Sequence, residues 1–424
     1  MAIESKSHAD RFKEIYDVER HVMATDGGIL VEDPYPAWAE LRASAPVHKG
    51  TVRQLMGYDS PGGLGGPHNR EVYSAFSFQA NDIAFRDNEV FSSTFYEGLT
   101  TKTFGKSMLE MVGTEHRRYR ALAQPAFTPK RAQWWIDKWI QWLVDEALSG
   151  FEHRGRAELN AEFCSRIPLQ TITSSFGLTR DEALDFREGA EGGMAYSGRE
   201  ESETSRDRGD KTTAMLKRVI EERRAEPRDD VITMLVQSEI EEDGQRHFLN
   251  DDEIYGFARL ILTAGSGTTW RQLGILLVAL LRQPDLLDAI RRDRELLKGA
   301  VEEVLRWEPT ATIIRRLVTR DVELCGVKIP TGAVIELNMG AANRDPERWE
   351  DPDRFDPNRR IEANLAFVSG PHVCLGMHVA RAEMTVAMNA VLRLPNLRFD
   401  PEAPEARIIG LEHRGPNGVP VVFG

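Results

Sequence analysis

The sequence predicts a mainly α-helical fold with small β-sheets, in one large domain built round a long central helix. Three observations carry this expectation. A helical pattern starts at Asn250 and runs to about Gln283, where Pro284 stops it. A second, "PKRAQWWIDKWIQWLVDEAL" at 129–148, opens on proline and repeats aromatic residues at helical spacing. Strand-like runs are short and come late, and no Ser/Gly/Pro linker divides the 424 residues, so residues 1–424 read as a single domain with residues 1–30 as a partly flexible extension.

Composition limits the function. The chain is 41% hydrophobic, enough for a sizeable core, and its 67 acids against 54 bases give a net charge of -13. Phosphate attraction needs a basic face, so nucleic acid is not an expected partner. The N-terminus, "MAIESKSHADRFKEIYDVER", has no apolar core, and "LGILLVALL" at 273–281 is too short to span a bilayer. No membrane anchor is expected. Cys164, Cys325 and Cys374 are widely spaced, which argues against a disulfide framework or a four-cysteine zinc site. A cytoplasmic protein follows.

The elements read in order along the chain. "DSPGGLGGPHN" (59–69) is a surface loop joining short strands. The aromatic stripe of 129–148 is core rather than a ligand box. "SGREESETSRDRGD" (197–210) is a polar connection or a solvated helix end. At the central helix Asn250 is the cap, and Asp251, Asp252 and Glu253 suit the positive end of the helix dipole. Its roughly 34 residues would extend about 50 Å, and the apolar middle should cross the interior. "AGSGTT" (264–269) sits at its centre, with two glycines that weaken a helix by about 1 kcal/mol each. Either they pack closely on another helix, or Ala264, Gly265 and Gly267 let a flat ligand or small molecule approach the backbone. The Thr268 hydroxyl can bond back to the Ala264 carbonyl and open the helix locally. The late strands are "VELCGVKI" (322–329), "AVIEL" (333–337) and "GVPVVF" (418–423).

One cysteine stands apart. "FVSGPHVCLG" (367–376) places Cys374 in a glycine-lined turn, with His372 two residues before it. A Cys–His catalytic pair is one reading, since that spacing sets both side chains on one face of an extended stretch. A metal-ligand loop is the other. The segment, followed by Ala380 and Arg381, resembles the haem-ligand loop of the cytochrome P450 family: Phe367, Gly370, His372, Cys374 and Gly376 fill that family's pattern, and Val368 stands where glycine is common. Further segments agree in the family's order. They are "DPYPAWAELRASAPVH" (33–48), "EHRRYRALAQPAFTP" (115–129), "EEVLRWEP" (302–309), "RLVTRDVEL" (316–324), "AANRDP" (341–346), "DPDRFDPNR" (351–359) and "HRGPNGVPVVF" (413–423).

The resemblance implies a P450 fold and haem b (iron protoporphyrin IX). It makes Cys374 the thiolate ligand of the iron, a donor that favours O–O cleavage, with backbone N–H groups facing the sulfur and Phe367 shielding it. His116, Arg120 and Arg316 would hold the propionates, which need cationic partners at a buried site. Arg315 would point to substrate or solvent. Glu303, Arg306 and Arg354 would form a structural ion network. On the central helix Thr268 is retained, while Gly267 takes the position where the family usually has Asp or Glu to relay protons toward O2. Ser266 and ordered water are the expected substitutes.

The activity so implied is insertion of one oxygen atom into an apolar small molecule. Electrons would come from a ferredoxin or flavodoxin served by an NAD(P)H-dependent reductase, since three scattered cysteines hold no iron–sulfur cluster here. A peroxide-using or nitric-oxide-reducing enzyme, or a haem-based ligand sensor, is the alternative. Segments 95–107, 177–198, 310–314 and 408–412 would line the pocket, with Phe95, Tyr96, Leu99 and Phe104 making it apolar.

Overall fold

The computed structural model describes residues 8–25, 29–58, 70–98, 105–195, 203–242 and 245–424. The glycine-rich stretch 59–69 lies outside these residues, as do Leu99, Phe104 and 196–202. Helices dominate, and the strands form five small separate sheets among the described residues. The largest sheet has five strands in the spatial order Val47–Lys49, Val72–Ala75, Val334–Asn338, Ile313–Val318 and Phe91–Ser92. Val334–Asn338 pairs parallel to Val72–Ala75 and antiparallel to Ile313–Val318, with Ile335 opposite Arg316. That register sets Arg315 and Arg316 in the middle of the sheet.

The late strand runs fold as short pieces. "VELCGVKI" doubles back on itself, Val322–Leu324 pairing with Val327–Ile329 through left-handed Cys325 (φ 48°) and Gly326 (φ 84°). Pro420–Val422 closes a sheet between Arg398–Phe399 and Arg156–Glu158. In the polar stretch 197–210, the last residues belong to the helix Glu203–Ala225.

The central helix opens at Thr268, where the bond to Ala264 O was expected to open it. It starts as read, with a reciprocal capping box between Asn250 and Glu253. It then breaks into Asp251–Gly267 and Thr269–Leu281, with Thr268 at φ -104°, ψ -48°. The cause is local. The Thr268 hydroxyl donates to Ala264 O at 3.2 Å, and the Arg271 guanidinium donates to Gly267 O at 2.7 Å. Side chains thus take up carbonyls that backbone N–H groups would otherwise serve, between two glycines of weak helix propensity. Beyond the break every residue of Thr269–Leu281 is buried, as its all-round apolar character required.

Two expectations change. Segment 129–148 is helical throughout, but Ile136–Ile140 forms a π-helical turn between Pro129–Trp135 and Gln141–Ser149. Residues 8–25, expected as a loose extension, form helices His8–Ile15 and Val18–Thr25. Phe12, Ile15, Tyr16, Val18 and Val22 are buried in the main core, with the Tyr16 ring edge-on to Trp270 at 5.1 Å. Among the described residues no helix is long and apolar enough to cross a membrane.

Candidate functional site

Cys374 is held by a turn that its glycines shape. Its N–H donates to Phe367 O at 3.0 Å, Val373 N–H donates to Gly370 O at 3.2 Å, and helix Met377–Val391 begins just beyond. Gly370 has φ 74°, and a Cβ there would meet Phe85 O at 2.4 Å, so only glycine fits. Val368, also left-handed at φ 53°, carries a β-branched side chain where that conformation is strained. The Cys374 surface is open although protein surrounds the residue. The surrounding protein governs its chemistry: desolvation pushes the thiol pKa up, opposed by the N–H groups of Gly376 and Met377 and by Arg120 and Arg381. Arg381 covers Phe367, its guanidinium 4.7 Å from the ring, and pairs with Glu302 at 2.6 Å.

A cluster of two arginines and two neutral histidines adjoins this loop. Arg120, on helix Gly113–Ala123, donates to Val373 O at 2.6 Å. His116, one turn earlier, is 2% exposed and stacks on His372 with ring centroids 4.0 Å apart. His372 in turn meets the Ser93 hydroxyl at 3.1 Å. Arg316 is buried over the Phe85 ring at 5.6 Å and donates to Arg315 O at 2.9 Å. Burial, then neighbouring arginines, holds His116 down at about 4. Burial also lowers Arg120 and Arg316. No carboxylate among the described residues pairs with Arg120 or Arg316.

The central-helix residues divide by face. Ala264 is exposed and Thr268 half-exposed, so both present open surface. Gly265 is also half-exposed, but a Cβ there would stand 3.0 Å from Ile172, so its side-chain position serves contact with helix Arg166–Ser175. Gly267 faces helix Arg180–Ala195, where the Arg187 guanidinium lies 3.3 Å from the position of a Cβ. Ser266 is fully buried, donating to Thr263 O at 3.3 Å and accepting from Arg187 at 3.4 Å. Of the two readings open for the glycines, their Cβ positions agree with helix packing, and the Ser266 hydroxyl, expected as a proton relay, bonds Thr263 O and Arg187. Side-chain size explains why: a glycine is as useful to a neighbouring helix as to a ligand.

The family model for Cytochrome P450 matches residues 198–411. Over 384 residues the chain is 32% identical to cytochrome P450 monooxygenase PikC of Streptomyces venezuelae, covering 88% of this chain and 87% of that one. The chain belongs to the cytochrome P450 family. This P450 is also 34% identical to the steroid C26-monooxygenase of Mycolicibacterium smegmatis, over 82% of its own length and 87% of the relative's. The crystal structure of P450BioI with a fatty-acid-ligated acyl carrier protein superposes with a TM-score of 0.78, at 28% identity, over 92% of this chain and 99% of that one. The protein is a P450 monooxygenase, an oxidoreductase whose cofactor is haem b. The donor set fits that group: one open thiol backed by N–H donors, beside buried guanidinium groups without carboxylates, which the two haem propionates would supply.

Other members of this P450's predicted site move. Arg315 is turned away from solvent into ion pairs. It is buried with Nη2 at 2.8 Å from both Glu336 and Glu412. Arg306 pairs with Glu303 at 2.7 Å as expected, but the third cation is Arg359, 3.2 Å from Glu303. Arg354 turns outward to Asp356 and lends only its carbonyl to Arg306. Sequence reading missed Arg187, Arg271, Ser93 and Arg359, whose roles exist only through contacts between distant segments. A polar cavity of about 700 Å³ lies elsewhere, lined by Lys106, Tyr119, Lys217, Asp252 and Arg259; Cys374 and Thr268 do not reach it.

Proposed function

We propose that this P450 inserts one oxygen atom from O2 into an apolar organic molecule in the cytoplasm, with electrons from a ferredoxin or flavodoxin and its NAD(P)H-dependent reductase. The carrying observation is the open Cys374 thiol set against N–H donors beside the carboxylate-free cluster of Arg120, His116, His372 and Arg316. Haem bound there would supply activation of O2 and oxygen-atom transfer. Cys374 would be the iron ligand, with Gly370 shaping the turn and the Gly376 N–H aimed at its sulfur. Arg120 and Arg316 would neutralise the propionates in a site too dry to leave them unpaired, and the neutral imidazoles of His116 and His372 would add only N–H donors. Phe367, covered by Arg381, would keep water from the thiolate. Ala264 and Thr268 would face O2 and substrate, and the Thr268 hydroxyl, anchored on Ala264 O, would hold a proton-bearing water. Ser266 and Gly267 contribute backbone only. The steroid named for one relative and the buried Phe95 support an apolar substrate.

Gly267 favours one second reading, a peroxide-using or nitric-oxide-reducing enzyme, because the usual acid is absent. Product formed with NADH, ferredoxin and reductase, but not with peroxide alone, is the expected result; the reverse moves the assignment. The reduced protein with carbon monoxide should show the red-shifted Soret band of a thiolate complex. Cys374→His should lose that band or the haem, and a variant that keeps it removes Cys374 as ligand.

A further inference from the structure

Four tryptophans fall within nine residues: Trp134, Trp135, Trp139 and Trp142. Burial accounts for Trp135 and Trp139, which are 0% and 6% exposed. It does not account for Trp134, which is only half-buried. The rings form a continuous set. Trp135 lies 5.0 Å from Trp139, Trp139 lies 4.6 Å from Trp134, and Trp134 lies 5.7 Å from Trp135, centroid to centroid. Trp134 and Trp139 are five residues apart, and in an α-helix residues three or four apart are the neighbours. The π-helical turn Ile136–Ile140 brings them together, since its repeat is i to i+5. Such turns are rare and often functional.

The inner end of this set is joined to the Cys374 loop through one intervening segment. Trp135 Nε1 donates to Ala126 O at 2.8 Å, and its ring is 5.4 Å from Phe127. That segment directly follows the helix whose Arg120 bonds Val373 O, next to Cys374. The outer end is built differently. Trp134 Nε1 donates to Asp229 Oδ2 at 3.0 Å, and Lys138 also pairs with Asp229. Arg131 and Lys138 stand over the Trp134 ring at 4.7 and 5.6 Å. Two cations on the ring face disfavour an indole radical cation. A carboxylate on its N–H offers the escape, because an oxidised indole readily gives up that proton.

We propose that Trp135, Trp139 and Trp134 form an electron-transfer chain that drains oxidising equivalents from the haem to the surface when no substrate is oxidised. One electron passes from Trp134, through Trp139 or Trp135, to the oxidised haem. The Trp134 indole proton passes to Asp229, leaving a neutral indolyl radical. A soluble one-electron reductant of the ascorbate class then restores the electron and the proton. Two such events, with two protons from solvent, reduce the activated oxygen to water and return the iron to its ferric state. This rests on the haem lying against Cys374, and the carbon monoxide band of each variant reports that separately.

The test mixes full-length, haem-loaded protein with a peracid in the absence of substrate, freezes it within milliseconds and records electron paramagnetic resonance. The expected signal is a neutral tryptophanyl radical that narrows when the protein is made with ring-deuterated tryptophan. The triple variant Trp134→Phe/Trp135→Phe/Trp139→Phe should lose it and bleach its haem faster under peracid. Should the triple variant bind no haem, Trp134→Phe alone, at a half-buried position, should lose the neutral signal, and Asp229→Asn should convert it to a cation radical. A radical that narrows only with deuterated tyrosine, no radical at all, or the same tryptophanyl signal in wild type and Trp134→Phe overturns the proposal.

Discussion

Gly370 and Gly376 both flank Cys374, yet the structure makes different demands on them. A Cβ on Gly370 would run into Phe85 O at 2.4 Å from a left-handed backbone, whereas Gly376 has φ -82° and nothing within 4 Å. Gly370→Ala should therefore cost at least about 1–3 kcal/mol in the loop and lower haem content, while Gly376→Ala keeps it. Equal haem occupancy in the two variants would show that the turn tolerates rearrangement. At the kink, the proposed proton handling rests on Thr268. Thr268→Ala should divert electrons into peroxide with substrate affinity little changed. Gly267→Asp would set a carboxylate against Arg187, whose guanidinium lies 3.3 Å from that Cβ position, and should leave the ratio of product to electrons consumed near the wild-type value. Unchanged coupling in Thr268→Ala removes this threonine from proton handling.

At the scale of elements, one ion network joins helix Leu296–Trp307 to the segment around Asp351–Arg359. Glu303 is 4% exposed and takes Arg306 on both oxygens, the Asp356 N–H at 3.0 Å and Arg359 at 3.2 Å. Removing Arg306 leaves a buried carboxylate with two of its four hydrogen bonds, a loss of about 3–5 kcal/mol. Arg359→Ala should cost less than that but clearly more than Arg354→Ala, whose exposed pair with Asp356 is worth about 0–1 kcal/mol. Denaturant unfolding of the haem-loaded variants orders the three. Arg354→Ala proving as costly as Arg359→Ala would return Arg354 to the network.

For the whole molecule, the net charge of -13 is unevenly spread. Arg117, Arg118 and Lys130 are exposed and Arg131 half-exposed on the segments that carry Arg120 toward Cys374. An acidic electron donor would be steered to this face, and steering fades as the Debye length shortens. Reversing Arg117 and Arg118 to glutamate should slow reduction by a ferredoxin at low salt without altering substrate binding. The difference should shrink as salt rises. Wild-type kinetics at low salt in the variant would place the donor elsewhere.

Much of this was legible in the chain itself. The Cys374 turn could be read because glycine spacing and a lone thiol are local, and the central helix because its apolar run and its Asn250 cap are local as well. The Thr268 bond to Ala264 O was also foreseeable, being four residues long. Contacts between distant segments were not. Whether Gly265 and Gly267 faced a ligand or a helix depended on Ile172 and Arg187, nearly a hundred residues away. Which arginine reached Glu303 depended on how 351–359 curls, so Arg359 displaced Arg354. Arg315 and Arg316 alternate across one strand, and only the sheet register decided which joined Glu336 and Glu412 and which joined the cluster beside His372. Sequence by itself determined the helical architecture and the thiol, because hydrogen-bond periodicity and turn geometry act over a few residues. Tertiary structure decided every long-range pairing, because a buried charge settles on whichever partner the packing brings within reach.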